Sequence, residues 1–185
     1  MKWKNYIGNI ILQSKEQFAS SVPITFCCTV RSVNKIFGVP VRVVDTPDFF
    51  HEDVKDAHVH INECRKYCQP GQCVVLLVIQ GGRFTNQEIG ILERLEDCLG
   101  WNIRDCTIVL LTRGDDMKNV NLWSYISENP GLKHIVEHCG NRFHLFNNKS
   151  KDIKQVLELV RKIPNYKSLF PKFAKKYDKD SCNSS

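Results

Sequence analysis

The sequence predicts an α/β fold with a mostly parallel central sheet and helices on both faces, and three observations carry the prediction. Segments of β-strand character alternate along most of the chain with segments whose apolar residues recur at helical spacing. Two runs, Cys73–Ile79 and Cys106–Leu111, are apolar with little alternation, which is how strands covered on both faces read. Polar stretches follow the strands at their carboxyl ends, where open α/β sheets bind ligands.

Taken in order, Ile24–Val33 and Val39–Asp45 are β-branched runs joined by a turn around Asn34–Gly38, so a hairpin is expected. Val54–Cys68 follows as a helix, with Val54, Ala57, Ile61, Cys64 and Cys68 on one face and Pro70-Gly71 as its stop. The buried run CVVLLVI is the next strand. Thr85–Glu88 forms a TxxE capping box ahead of a helix marked by Ile89, Leu92, Leu95 and Leu99 and ended by Gly100. After the strand Cys106–Leu111 come the polar TRGDDM and a helical region over about Leu122–Cys139, broken near Pro130-Gly131. A short strand, Phe143–Phe146, and a last helix, Ser150–Ile163, complete the pattern. No internal repeat interrupts it.

A length of 185 residues suits one domain with one core. We expect that domain over residues 1–164 and a basic, flexible tail over 165–185. Hydrophobic residues at 42% and charged residues at 25% exclude a disordered, collagen-like or low-complexity chain. The longest apolar run, Cys73–Ile79, is far below the ~18 residues of a membrane span, so no transmembrane segment is expected. The opening MKWKNYIGNIIL lacks the apolar length and cleavage site of a signal peptide. The expectation is a cytoplasmic protein that reaches intracellular membranes only through partners. Nine cysteines, an odd number without framework spacing, fit reduced thiols. The net charge of +6 gathers partly in Lys167–Lys179, but Asp178 and Asp180 dilute it, so we expect a solvated tail and no nucleic-acid partner.

Three polar loops, DTPD, TRGDD and FNNK, follow strands in that order. Asp45, at a strand end, suits outer-shell coordination of magnesium beside phosphates, because a hard dication takes carboxylate and water oxygens. Thr25 could add a hydroxyl. Asp115 could accept two hydrogen bonds from the N1 and N2 donors of guanine, a pair adenine does not offer. Asn147 and Asn148 carry amides able to donate to the base's carbonyl edge. Each loop alone also reads as a plain turn or helix cap; the ordered set carries the function.

These residues resemble the GTPases of immunity-associated proteins, the GIMAP family. The resemblance covers about Lys4–Val160 and rests on GNIIL, ITFCC, VRVVDTP, PGQCVVLLVIQGGRFT, IVLLTRGDDM and CGNRFHLFNNK. It implies a P-loop GTPase-like G domain that binds GTP or GDP, with Mg2+ when nucleotide is bound. By resemblance Thr25 matches the switch I threonine and Asp45 the DxxG aspartate. Thr112, Arg113 and Asp115 fall in the loop that replaces NKxD, with Asp116 an alternative to Asp115. Asn147, followed by Asn148, matches the base-contacting asparagine. Lys4 falls on the phosphate lysine and Asn5 on the magnesium-binding Ser/Thr, so Asn5, Thr25 and Asp45 form the implied magnesium set. Arg83, in GGRFT, reads either as a surface residue or as a catalytic arginine supplied across a G-domain homo- or hetero-dimer.

Two departures stand out. A GxxxxGK[ST] loop should follow the first strand, yet Trp3 replaces the glycine before the lysine. The expectation is a fold with its first strand missing from between Val41–Asp45 and Cys73–Ile79. Asp48 stands where DTPG has glycine, placing a carboxylate where a γ-phosphate belongs. We therefore expect guanine-nucleotide binding with hydrolysis left open, and as the alternative a pseudo-GTPase acting as a non-enzymatic partner of intact relatives. Two further features read more plainly. His60, Cys64, Cys68 and Cys73 match no standard zinc spacing, and Cys182 lacks the aliphatic pair of a prenylation signal.

Overall fold

The structure, a computed structural model, describes residues 7–11, 29–33, 37–50, 54, 56–82, 84–85, 88–112, 121–147, 149–150 and 152–178. It divides into two compact units. One takes the chain up to Asp48 and again from Asp152, and the other is the continuous segment Phe49–Lys151.

In the first unit, residues 7–11 are helical and bury Ile7, Ile10 and Ile11, apolar positions one helical turn apart. The expected hairpin forms between β1 (Thr29–Val33) and β2 (Val41–Asp45), antiparallel, with Thr29 opposite Asp45 and Val33 opposite Val41. Gly38, beside the turn, has φ 70°, and a Cβ there would lie 2.7 Å from Lys172 Cβ, so its lack of a side chain admits the C-terminal segment. Neighbouring Phe37 is buried, with its ring 5.1 Å from that of Phe170.

The C-terminal part of this unit departs from the expected flexible tail. After α5 (Lys154–Arg161), which buries Val156, Leu159 and Val160, residues Tyr166–Leu169 (α6) and Pro171–Tyr177 (α7) are helical. Phe173 is buried and meets Tyr166 and Tyr177 ring to ring. Arg161 donates to Asp178 Oδ1 at 3.1 Å, and the Tyr166 hydroxyl donates to Asp178 Oδ2 at 2.9 Å. The aromatic rings, spaced along a helix, supply an apolar face that the surrounding lysines mask in composition.

The second unit holds a three-stranded sheet, β3 (Val75–Gln80), β4 (Thr107–Thr112) and β5 (Phe143–Leu145), all parallel, with β4 central. Every residue of β4 is buried, as the apolar run predicts. β3 reads the same in sequence, yet only Ile79 in it is buried; it lies at the edge of this sheet among the described residues. α1 (Ala57–Arg65) starts three residues later than Val54 because Asp56 takes a left-handed conformation, φ 53°, that a helix does not continue.

α2 (Ile91–Leu99) also starts later than expected. Thr85 N–H donates to Glu88 Oε2 at 2.7 Å, so the capping-box contact forms, but Gly90 at φ 70° separates that turn from the helix and Ile89 is exposed. Leu92 and Leu99 are buried, and Gly100 closes the helix with φ 83°. Arg104 then pairs with Glu93 and Glu96 at 2.9 Å each, fastening the turn ahead of β4 to α2. α3 (Leu122–Ser127) is capped by Asn121, whose Oδ1 accepts from Trp123 N and Ser124 N, and α4 (Pro130–His138) begins at its proline.

Candidate functional site

In the second unit the parallel register aligns the carboxyl ends of the three strands. Gln80 is opposite Thr112 and Leu111 opposite Leu145. Phe146 N–H donates to Leu111 O at 2.7 Å, carrying the pairing one step beyond β5. The loops beginning at Gly81, after Thr112 and at Asn147 therefore leave from one end of one sheet, the arrangement that makes ligand sites in α/β folds.

Thr112 closes β4 with no solvent exposure, and its Oγ1 has no hydrogen-bond partner among the described residues. A buried hydroxyl without a partner costs about 1–3 kcal/mol, so its presence at a loop-bearing strand end marks a position suited to a ligand. Asn147 uses its Oδ1 to accept from Lys149 N at 2.9 Å and Ser150 N at 3.2 Å. That is an asparagine turn; it fixes the side chain from its acceptor end, while the role expected of the residue needs its amide donor.

The loop after β3 is held from two sides. Gly81 N–H donates to Thr112 O at 3.1 Å, and Gly82 N–H donates to the Tyr125 hydroxyl at 3.0 Å. Tyr125 was missed in the sequence because nothing local links it to a glycine 43 positions earlier. Phe84, at the end of the same loop, packs where Gly131 of α4 leaves room: a Cβ on Gly131 would lie 2.6 Å from Phe84 Cε1. His144 is buried in β5.

In the first unit Asp45 ends β2 and is buried, with Thr46 and Pro47 following and Asp48 exposed. A buried strand-end carboxylate has the hard oxygen chemistry that magnesium takes. Lys4, Asn5, Thr25, Arg83, Arg113, Asp115, Asp116 and Asn148 lie outside the described residues. Among the described residues no three His, Cys, Asp or Glu side chains gather as a metal cluster, and no helix is long and apolar enough to cross a membrane.

The sequence pattern of the AIG1 family matches residues 4–178. The chain is similar to human GTPase IMAP family member 8, 34% identical over 169 residues, covering 86% of this chain and 25% of that protein. It is also similar to Arabidopsis thaliana immune-associated nucleotide-binding protein 9, 32% identical over 170 residues, covering 86% of this chain and 49% of that protein. Mouse GTPase IMAP family member 8 is 36% identical over 116 residues, 59% of this chain and 17% of that protein. The chain thus spans between about a sixth and a half of the length of these relatives.

Proposed function

We propose, on the premise that this chain belongs to the AIG1 family, that it binds a guanine nucleotide, GTP or GDP, with the base end held by the loops after β4 and β5. The observation that carries the reading is the buried Thr112 hydroxyl, without a partner among the described residues, at the strand end from which TRGDD departs. The names of the relatives, a GTPase and a nucleotide-binding protein, agree with it. In this reading Asp115, or Asp116 beside it, accepts from guanine N1 and N2. Asn147 and Asn148 donate to the carbonyl edge, and Thr112 and Arg113 shape the floor of the loop.

Lys4 would contact phosphate, while Asn5, Thr25 and Asp45 would hold magnesium directly or through water. The ion supplies charge neutralisation beside the phosphates. We assign binding, not turnover. By the resemblance, Trp3 and Asn5 would stand where the family has a glycine and a Ser/Thr, and Asp48 where it has a glycine. Hydrogen bonds to charged groups contribute about 1.5–3 kcal/mol each, so a loop that loses two or three of them binds GTP two or more decades more weakly at ~1.4 kcal/mol per decade.

Those same departures favour one second reading, a non-enzymatic partner that associates through its G domain with an intact relative and presents Arg83 to it. The two readings separate in solution. Competition against a fluorescent guanine nucleotide should show GTP displacing far better than ATP, and Asp115→Ala should abolish that preference. Equal displacement by ATP and GTP would end the base assignment. For the second reading, mixing the chain with an active relative should change the relative's GTP turnover, and Arg83→Ala should remove the change. Complex formation without any effect on turnover would reject it.

A further inference from the structure

The strongest feature outside the candidate nucleotide site lies at the opposite end of the sheet, where β3 and β4 begin. Cys68 follows α1, and Cys73 sits two residues before β3. Their sulfurs are 3.2 Å apart. Between them Gln69, Pro70, Gly71 and Gln72 form an exposed turn, closed by a bond from Gln72 N–H to Gln69 O at 3.1 Å, with Gly71 at φ 73°. Both cysteines are half-buried. The Cys68 carbonyl is anchored by Trp101 Nε1 at 3.3 Å, which fixes one side of the pair while the turn leaves the other side to the exposed segment. A third thiol, Cys106, donates to Ile103 O at 3.3 Å.

We propose that Cys68 and Cys73 form a peroxide-reactive dithiol, in which Cys68 is oxidised first and Cys73 then closes a disulfide across the exposed turn. The site is separate from the nucleotide reading and does not depend on it. A disulfide needs its sulfurs at about 2.05 Å, so closing the gap asks for about 1.2 Å of movement, within reach of a side-chain rotation and a small shift of a turn where a Cβ on Gly71 would meet open space among the described residues.

The two thiols are unequal in the way the order of reaction requires. The contact with the Cys73 sulfur holds the Cys68 pKa below its ordinary value, outweighing the effect of burial. For Cys73, neighbouring Cys106 favours the thiolate, but the contact with Cys68 and burial prevail and push it up to about 12. Cys68 is therefore the better source of thiolate, the nucleophilic form. Its sulfur attacks one oxygen of a hydroperoxide. The O–O bond breaks, hydroxide or alkoxide leaves, and Cys68 becomes a sulfenic acid. Cys73 sulfur then attacks Cys68 sulfur, the S–O bond breaks, and water leaves with the thiol proton. Two thiols and one hydroperoxide yield one disulfide, one water and one water or alcohol.

The test uses the full chain and hydrogen peroxide, followed by alkylation, trypsin and mass spectrometry. Cleavage after Lys66 and Arg83 leaves Cys68 and Cys73 on one peptide. The disulfide then appears as that peptide two hydrogens lighter and without alkyl groups, restored by dithiothreitol. This product should form before any other cysteine peptide changes. Cys68→Ser should slow oxidation of the peptide by about tenfold or more. Cys73→Ser should leave a Cys68 sulfenic acid that dimedone captures, and Cys106→Ser should leave the disulfide intact. A first product linking Cys73 to Cys106, equal oxidation of all the cysteines, or undiminished oxidation in Cys68→Ser would each overturn the proposal.

Discussion

Replacing Thr112 by valine should move stability and ligand binding in opposite directions. The residue is fully buried at the end of β4, and its hydroxyl has no partner among the described residues. Valine keeps the β-branched shape and exchanges that hydroxyl for a methyl group, removing a desolvation penalty of about 1–3 kcal/mol. Allowing for imperfect fit of the methyl, the nucleotide-free variant should gain about 1–2 kcal/mol. For a chain of this size that raises Tm by roughly 2–8 °C. If the hydroxyl meets the nucleotide, its loss removes a bond contributing about 0.5–1.5 kcal/mol, a roughly 2- to 13-fold weaker Kd for GTP. Urea unfolding with and without GTP reads both effects, and Thr112→Ser, which keeps the hydroxyl, should leave the GTP increment unchanged. A nucleotide-free valine variant no more stable than the wild type would refute the claim of a partnerless hydroxyl. A gain in stability with unchanged GTP affinity would refute its use as a ligand contact.

Phe173→Ala should lower stability by about 3–5 kcal/mol, the cost of emptying a buried aromatic site, read by denaturant melts; a loss under about 1 kcal/mol would mean that the C-terminal segment is merely solvated. At Asp178, burial raises the carboxyl pKa, but the Tyr166 hydroxyl and Arg161 outweigh it and hold the group below its ordinary 3.8. Because the folded value is the depressed one, the stabilisation is present above that pH and is lost as pH falls through the folded value. The stability gap between wild type and Asp178→Asn should therefore be widest near neutrality and close under acid; a gap that persists under acid would contradict the linkage. Asp48 is exposed, so its repulsion of a phosphate charge at ~4 Å is nearer the ~1 kcal/mol of water than the ~4 kcal/mol of an effective dielectric of 20. Asp48→Gly should tighten GTP about fivefold with little effect on GMP, measured by calorimetry, and equal gains for both nucleotides would count against a γ-phosphate clash.

What the residues disclose depends on the distance over which the deciding interaction acts. The hairpin was legible because β-branched Val30, Val33, Val41, Val43 and Val44 flank a turn with a glycine, all within 17 positions. The apolar runs that become β3 and β4 look alike, yet one is half covered and the other wholly buried. Position within a sheet comes from partners remote in sequence, and composition does not carry it. The start of α2 was misplaced because the Thr85–Glu88 contact is genuine but local, and the left-handed backbone at Gly90 overrides it as a helix signal. Asn147 was nominated from sequence by its place after a strand, and Thr112 through the family resemblance. The tie between Tyr125 and Gly82 needed the folded chain. Phe170, Phe173 and Tyr177 sit at helical spacing and could have announced the terminal helices; the lysines around them drew the reading toward a solvated tail.

The first unit is assembled from two stretches that the ribosome delivers at different times. Its hairpin is finished at Asp45, while Phe170 and Lys172, which meet Phe37 and Gly38, come more than a hundred residues later. At ~5–20 residues per second of synthesis, the hairpin waits roughly 6–25 s for those partners. The continuous segment Phe49–Lys151 emerges whole during the same interval and can fold first. The nascent chain thus carries, for that time, a two-stranded ribbon without the Phe170 and Lys172 that later meet its turn, and strand edges are the kind of surface that pairs with other chains. A chaperone that recognises extended, β-branched segments would find its best opportunity on this protein during translation rather than after release.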